Sequence, residues 1–321
     1  MRIIGYNIPG NIFYTDIDKK FLSEKIGDKD FLFWVDIFTP APENLAILKD
    51  VFNFHFLAIE DATSKIERPK MDEFDNFIFL VMQVPLEISA NKKLETGVIS
   101  IFVGRNYVVT VHEMNFTPIK KIFNDYVKNN KIDCVDSADL LHTILDTLID
   151  YCIPVAEKIN KSISIIEEKI LDSLDKNSIS EILILRRNIL LFKNILKPEI
   201  TLLKKLELTD LKYISEDMEV YFGDIVDHSE KIFDMLETSK ELIESLYQSY
   251  DALMDIRRND IMKMLTIISV IFMPLTLISG IYGMNINLPF QNSTHAFVIV
   301  MEIMLFIILI MMVFFRKKDW L

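Results

Sequence analysis

The sequence predicts an α+β domain followed by a long helix that continues into the first of two C-terminal membrane spans. Three observations carry this fold class. Two apolar stretches, 264–282 and 296–315, the second with Glu302 as its one charged residue, lie at the end of the chain; no Gly or Pro interrupts the tract between Asp224 and Met273; and the first 115 residues show the short alternation of strands. At about 1.5 Å per residue, each apolar stretch can cross a hydrocarbon core of roughly 30 Å.

Taken in order, residues 1–115 read as a small α+β domain. Its strand signals are Phe77-Ile78-Phe79-Leu80-Val81-Met82, then 98–103, then 107–111 after the Gly104-Arg105-Asn106 turn. From 116 to 210 apolar residues recur at three and four spacing with few breakers, predicting helices near 136–174 and 178–207. From about 211 one helix is expected to run through 282, its membrane part at about 264–282, a length of roughly 100 Å. Such a helix needs partners along its length, and one seam, Ile232, Leu236, Ser239, Ile243, Leu246, Tyr250 and Leu253, has the spacing for them. A second seam carries Asp227, Glu230, Asp234, Glu237, Glu241, Glu244, Asp251 and Asp255; it reads as a solvated face or as a surface that concentrates divalent cations. The linker 283–295, the second span 296–315 and a basic tail 316–321 complete the chain.

The net charge of −12 resides in the part outside the membrane, which argues against a nucleic-acid or anionic-lipid surface there and for a cation-handling one. Cys134 and Cys152 have neither disulfide-framework nor zinc-ligand spacing, which points to a reducing compartment. Met1-Arg2-Ile3-Ile4-Gly5-Tyr6 lacks the pattern of a signal or transit peptide, so the hairpin is expected to be the membrane-targeting element. Arg257, Arg258 and Lys263 precede the first span and Arg316, Lys317 and Lys318 follow the second, while the linker has no Lys or Arg. Both termini are therefore expected in the cytoplasm, with the linker outside and Tyr282 and Trp320 at the interfaces.

Within the first span, Asn259, Met262, Thr266, Ser269, Met273, Thr276, Gly280 and Gly283 share one narrow uncharged face. Close helix packing through small residues and a pore lining both fit that pattern. A single hairpin cannot enclose a water-filled path, so the second reading requires an oligomer. Pro274 sits where it can kink the span.

Tyr282-Gly283-Met284-Asn285 after Met273-Pro274-Leu275-Thr276, with a basic, Trp-containing C-terminus, closely resembles the CorA magnesium transporters. The match extends through Phe54-His55-Phe56-Leu57-Ala58-Ile59-Glu60-Asp61 and Arg68-Pro69-Lys70, so it covers nearly the whole chain. The resemblance implies a funnel-shaped homopentamer in the cell membrane that conducts Mg2+, with Co2+ as a further ion. It places Gly283, Met284 and Asn285 at the outer entrance, where neutral carboxamides can hold a hydrated Mg2+ without stripping its waters. It places Thr276, Met273, Leu265, Met262 and Asn259 along the path, the Met and Leu side chains forming an apolar gate. It further implies a regulatory Mg2+ between Asp61 of one subunit and Asp224 of its neighbour, with Glu60, Asp227 and His228 close enough in sequence to contribute. Bound, that ion would hold the closed state.

Two departures from the family pattern stand out. Leu288-Pro289-Phe290 leaves no acidic residue between Gly283 and Glu302, and Asn160-Lys161-Ser162-Ile163-Ser164 follows Glu157-Lys158-Ile159 where acidic residues are expected. The first removes electrostatic capture of cations by the loop; the second puts an additional regulatory site in question. Glu302, near the outer end of its span, is expected to reach the interface. No phosphate loop, nucleophile motif or zinc signature points to an enzyme. A Zn2+, Co2+ or Ni2+ transporter on the same scaffold, and a membrane-anchored sensor or scaffold without transport, are the alternatives.

Overall fold

The computed structural model describes the chain apart from residues 65–67, 90–92, 115, 173–175, 209–210, 215, 286–294 and 321, and describes only the backbone at 171, 172, 176, 177 and 216. Leu288-Pro289-Phe290 lies outside the described residues. The chain divides into two units, Met1–Leu246 and Tyr247–Leu321.

The first unit is built on a seven-stranded sheet of order β2-β1-β3-β7-β6-β5-β4. Its strands are β1 (Arg2–Asn7), β2 (Ile12–Tyr14), β3 (Phe31–Phe38), β4 (Lys70–Glu73), β5 (Ile78–Ile88), β6 (Leu94–Val103) and β7 (Tyr107–His112). Only the central β3–β7 pair is parallel; the other pairings are antiparallel. β3 and β7 are buried on both faces, which explains their nearly continuous apolar runs.

Strand alternation sends Phe33, Val35, Ile37, Phe79, Val81, Phe102, Val109 and Val111 to one face. There they meet α1 (Lys19–Lys25), α2 (Pro42–Asp50) and α3 (Phe56–Ala62) through Leu22, Ile47, Leu48, Ala58 and Ala62. On the opposite face Trp34 packs edge-on against Phe123 and Tyr126 of α4 (Thr117–Asn129). The same face carries a buried ionic network. Asp36, fully buried, accepts from Arg2 Nε at 3.0 Å, from Arg2 Nη2, from Thr110 Oγ1 at 2.6 Å, and faces His112 Nε2 at 3.0 Å. Thr110 in turn accepts from the Trp34 ring N–H at 3.1 Å.

Helices α5 (Ser137–Asp150), α6 (Cys152–Asp172) and α7 (Lys176–Leu208) pack against this sheet. The single helix expected near 136–174 is two helices, separated at Tyr151. Pro154, in the first turn of α6, has no N–H to give the Asp150 carbonyl, so the α5 ladder cannot run through. By contrast α7 runs through Pro198.

The long helix expected from about 211 begins at Glu219 and continues as α8 (Glu219–Tyr282). The preceding residues are held otherwise: Leu211 and Ile214 form a buried bridge, Lys212 and Tyr213 donate to the Asp75 carbonyl, and Glu216–Met218 is a 3-10 turn. The apolar seam of α8 is buried from Ile232 through Leu236, Ser239, Ile243 and Leu246 to Tyr250, with Leu253 half-buried. Ser239 in that seam donates to Asn160 Oδ1 on α6. The polar Asn160 that departs from the family pattern is thus used to pin α6 to α8.

The acidic seam is divided by its neighbours. Glu230 pairs with Lys204 at 2.5 Å and Glu237 with Lys193, both lysines on α7, while Asp227, Asp234, Glu241, Asp251 and Asp255 are exposed. Two of the eight charges in the stripe are therefore ion-paired between helices.

The second unit contains the end of α8 and α9 (Ala296–Lys317), both long and apolar enough to cross a membrane. After α9, Asp319 adopts a left-handed backbone, and the Trp320 N–H returns to the Phe315 carbonyl at 3.0 Å, stacking its ring on Phe315.

Candidate metal site and ion path

Helix α5 begins at the Asp136 N-cap, whose carboxylate accepts the Asp139 N–H at 2.9 Å. Its buried face is Leu140, Leu141, Ile144, Leu145, Leu148 and Ile149. Four-residue spacing leaves His142, Asp146 and Asp150 as a stripe along the other side. His142 meets Tyr221 and Phe222 edge-on, docking the stripe onto the first turns of α8.

There α8 supplies Asp224 and His228, one turn apart. His228 Nδ1 lies 3.5 Å from Asp150 Oδ1 and 3.9 Å from Asp146 Oδ1, and its Nε2 lies 3.9 Å from Asp224 Oδ2. Donor atoms of Asp146, Asp150 and His228 all fall within 4.8 Å of one another. Among the described residues no Lys or Arg pairs with these three carboxylates. Nδ1 of His228 is shielded from solvent and makes no hydrogen bond there. Burial, then the neighbouring Asp150 charge, and more weakly Asp224, raise the Asp146 carboxyl above its ordinary value, with His142 and His228 pulling the other way. The group therefore carries unbalanced negative charge that a cation would relieve. Two carboxylates, Asp146 and Asp150, suit a hard ion such as Mg2+, the imidazole extends the fit to Co2+, Ni2+ and Zn2+, and Asp224 faces the other ring nitrogen of His228.

Of the sequence-predicted regulatory residues, Asp224 and His228 are in this group. Asp227 is exposed and acts electrostatically on Lys204. Asp61, on α3, is in an ion pair with Lys70 at 2.6 Å, and Glu60 beside it is exposed. Both Asp61 and Asp224 are flanked by exposed large apolar side chains, Phe56 and Leu57 in one case, Val220 and Tyr221 in the other. Asp146 and Asp150 were not anticipated. The signal was present as the His142, Asp146, Asp150 repeat at four spacing, but which helix faced it was not.

Along the first span, Asn259, Met262, Leu265, Met273 and Thr276 are all exposed. The less exposed positions, Ile267, Ile271, Pro274, Leu275 and Ile278, form a different face. The narrow polar stripe is thus unused by the hairpin's own packing. Both of its threonine hydroxyls are satisfied by their own helix, Thr266 donating to the Met262 carbonyl at 2.8 Å and Thr276 to Phe272 at 2.9 Å; Ser279, beside the stripe, donates to Thr276 at 3.0 Å. α8 ends at Tyr282, and the N–H of Gly283 just beyond it bonds the Ser279 carbonyl at 2.9 Å; a Cβ on Gly283 would sit 3.1 Å from that oxygen. Met284 and Asn285 follow, both exposed.

The chain matches the family model described as "CorA-like Mg2+ transporter protein" over residues 29–317. It is 31% identical over 277 residues to a cobalt/magnesium transport protein CorA of Thermotoga maritima, covering 85% of this chain and 78% of that one. It is 25% identical over 303 residues to the cobalt/magnesium transport protein CorA of Methanocaldococcus jannaschii, covering 93% and 94%. The solved complete structure of the CorA magnesium transporter from M. jannaschii superposes with TM-score 0.87 at 24% identity, covering 100% of this chain and 99% of that one.

Proposed function

The chain belongs to the CorA family of divalent metal ion transporters, which are not enzymes, and from that premise we propose that it is a gated channel for Mg2+ entry whose closure is set by Mg2+ on the cytoplasmic side. The observation that carries the reading is that one unbroken helix, α8, bears both the Asp224–His228 end of the acidic group and the exposed polar stripe ending at Gly283-Met284-Asn285. In this reading a charge change at one end of that continuous helix is passed along it to the other.

In this reading Asn285, with Gly283 and Met284, forms the entrance, and Thr276, Met273, Leu265, Met262 and Asn259 line the path of a homopentamer in the plasma membrane, termini inside. The exposure of the stripe supports an assembly that covers it. Binding of Mg2+ among Asp146, Asp150 and His228, with Asp224 on the far side of the His228 ring, stabilises the closed state by mass action, and its loss leaves the Asp146 and Asp150 carboxylates to repel. Asp61 joins such a site from a neighbouring subunit only by exchanging its Lys70 partner for the ion.

Uptake of Mg2+ by the full-length protein in vesicles tests this. Flux that falls as Mg2+ is raised on the cytoplasmic side, and loses that inhibition in Asp224→Lys, is expected. Absence of flux at low cytoplasmic Mg2+ would favour an anchored sensor or scaffold instead. The imidazole of His228 favours a second reading, Co2+, Ni2+ or Zn2+ as the physiological ion. Competition of each against Mg2+ uptake separates the two.

A further inference from the structure

α7 is fastened to the sheet by two polar side chains three turns apart. Asn188 Oδ1 accepts the Leu94 N–H at 3.1 Å, and Glu199 Oε1 accepts the Gln83 N–H at 2.7 Å. The second fastening has a structural reason. β5 outruns β4, whose register ends at Lys70 opposite Val81, so the Gln83 amide has no strand to bond and α7 supplies the acceptor.

Glu199 is an unusual choice for that task, because it is 2% exposed and its Oε2 is buried with no hydrogen-bond partner among the described residues. No Lys, Arg or His pairs with it there. The elements packed most extensively against α7 are α6, β5 and β6, and α8 is joined to it through the Lys193–Glu237 and Lys204–Glu230 pairs, neither of which involves Glu199. From α6 the titratable group facing Glu199 is Cys152, whose thiol burial holds neutral. From β5 it is met by Gln83, whose carboxamide turns to Thr96 of β6, while Glu87 and Glu95 on those strands are exposed. A charge at this position would have one amide dipole to stabilise it and no counter-ion.

The fastening also sits at a weak point. Pro198 immediately precedes Glu199, so the Asn194 carbonyl has no intrahelical N–H partner and α7 is free to bend there. Beyond this joint lies Lys204, which pairs with Glu230 on α8.

We propose that Glu199 is a neutral latch between α7 and the free edge of β5, and that loss of its proton releases the segment of α7 beyond Pro198. Burial pushes the carboxyl up to about 8, the Gln83 amide offsetting part of that, so the latch operates just above neutral pH. Release loosens the Lys204–Glu230 contact, which carries cytoplasmic alkalinisation to the long helix.

Infrared spectroscopy and hydrogen exchange on the full-length protein in detergent test this. At pH 7 a protonated-carboxyl C=O stretch should be present that Glu199→Gln lacks and that disappears from the wild type between pH 7 and 9. Over that interval, protection of the Gln83 amide should fall about tenfold relative to Glu199→Gln at the same pH, while the Leu94 amide held by Asn188 keeps its protection. If Glu199→Gln does not fold, the wild-type infrared titration decides by itself. Absence of that band at pH 7, or Gln83 protection that tracks Leu94 across the interval, overturns the proposal.

Discussion

Replacing Asp36 by Ala is expected to be among the most damaging single changes in the first unit. The carboxylate holds three elements together: Arg2 on β1, Thr110 and His112 on β7, with Trp34 attached through Thr110. Arg2 is about a third exposed and can turn to water, whereas Thr110 and His112 are buried and would lose their acceptor. Breaking a buried ionic group in this way costs about 3–5 kcal/mol. For a unit of this size that is a fall in melting temperature of roughly 6–20 °C. Trp34 and Trp320 are the two tryptophans, so fluorescence of Trp34 in a Trp320→Phe background reports melting of the sheet directly. Asp36→Asn keeps an acceptor for Thr110 but no charge, and should fall between the parent and Asp36→Ala. Burial alone would raise the Asp36 carboxyl, but His112, Thr110 and Arg2 together hold it below its ordinary value. Its stabilisation is therefore present above the unfolded carboxylate range and lost as pH falls, so the parent's melting temperature should drop on acidification more steeply than that of Asp36→Ala. A melting temperature for Asp36→Ala within about 2 °C of the parent would show that the network is ornamental to stability.

Glu199 has the opposite sign. Its folded-state value lies above its unfolded value of 4.5, so the favourable state is complete below 4.5 and is lost as pH rises through about 8. Melting of the wild type should decline between those limits with a slope absent from Glu199→Gln, amounting to roughly 3 kcal/mol by pH 7; equal slopes would contradict a buried neutral acid. At the entrance, Asn285→Ala should lower Mg2+ uptake about tenfold, the effect of about 1.4 kcal/mol, and leave inhibition by cytoplasmic Mg2+ in place. Unchanged uptake would remove Asn285 from the ion path. Asp146→Asn, at the position where burial and Asp150 disfavour the charge, should raise the cytoplasmic Mg2+ needed for half-closure about tenfold in vesicles of defined internal Mg2+. No shift would exclude α5 from sensing.

The order of parts along the chain was legible because it rests on local physics. Apolar length marked the two spans, the period of Ile232, Leu236, Ser239, Ile243 and Leu246 marked the buried seam of α8, and strand alternation marked the sheet. Element ends were less legible. Pro154 divides what read as one helix, and the bridge from Leu211 to Ile214 delays α8 to Glu219, because both outcomes depend on backbone hydrogen bonds to partners elsewhere.

Sequence by itself determined that this protein is a membrane-bound relative of CorA, since spans and the Tyr282-Gly283-Met284-Asn285 motif are contiguous features that survive in one dimension. Tertiary structure decided which charges meet. It joined Asp146 and Asp150 to Asp224 and His228 from nearly eighty residues away, gave Asp61 to Lys70, turned Glu230 and Glu237 of the acidic stripe to lysines of α7, and buried Glu199 against the edge of β5. Electrostatic character is set by distance and burial, and neither is a property of sequence spacing once helices fold back on one another.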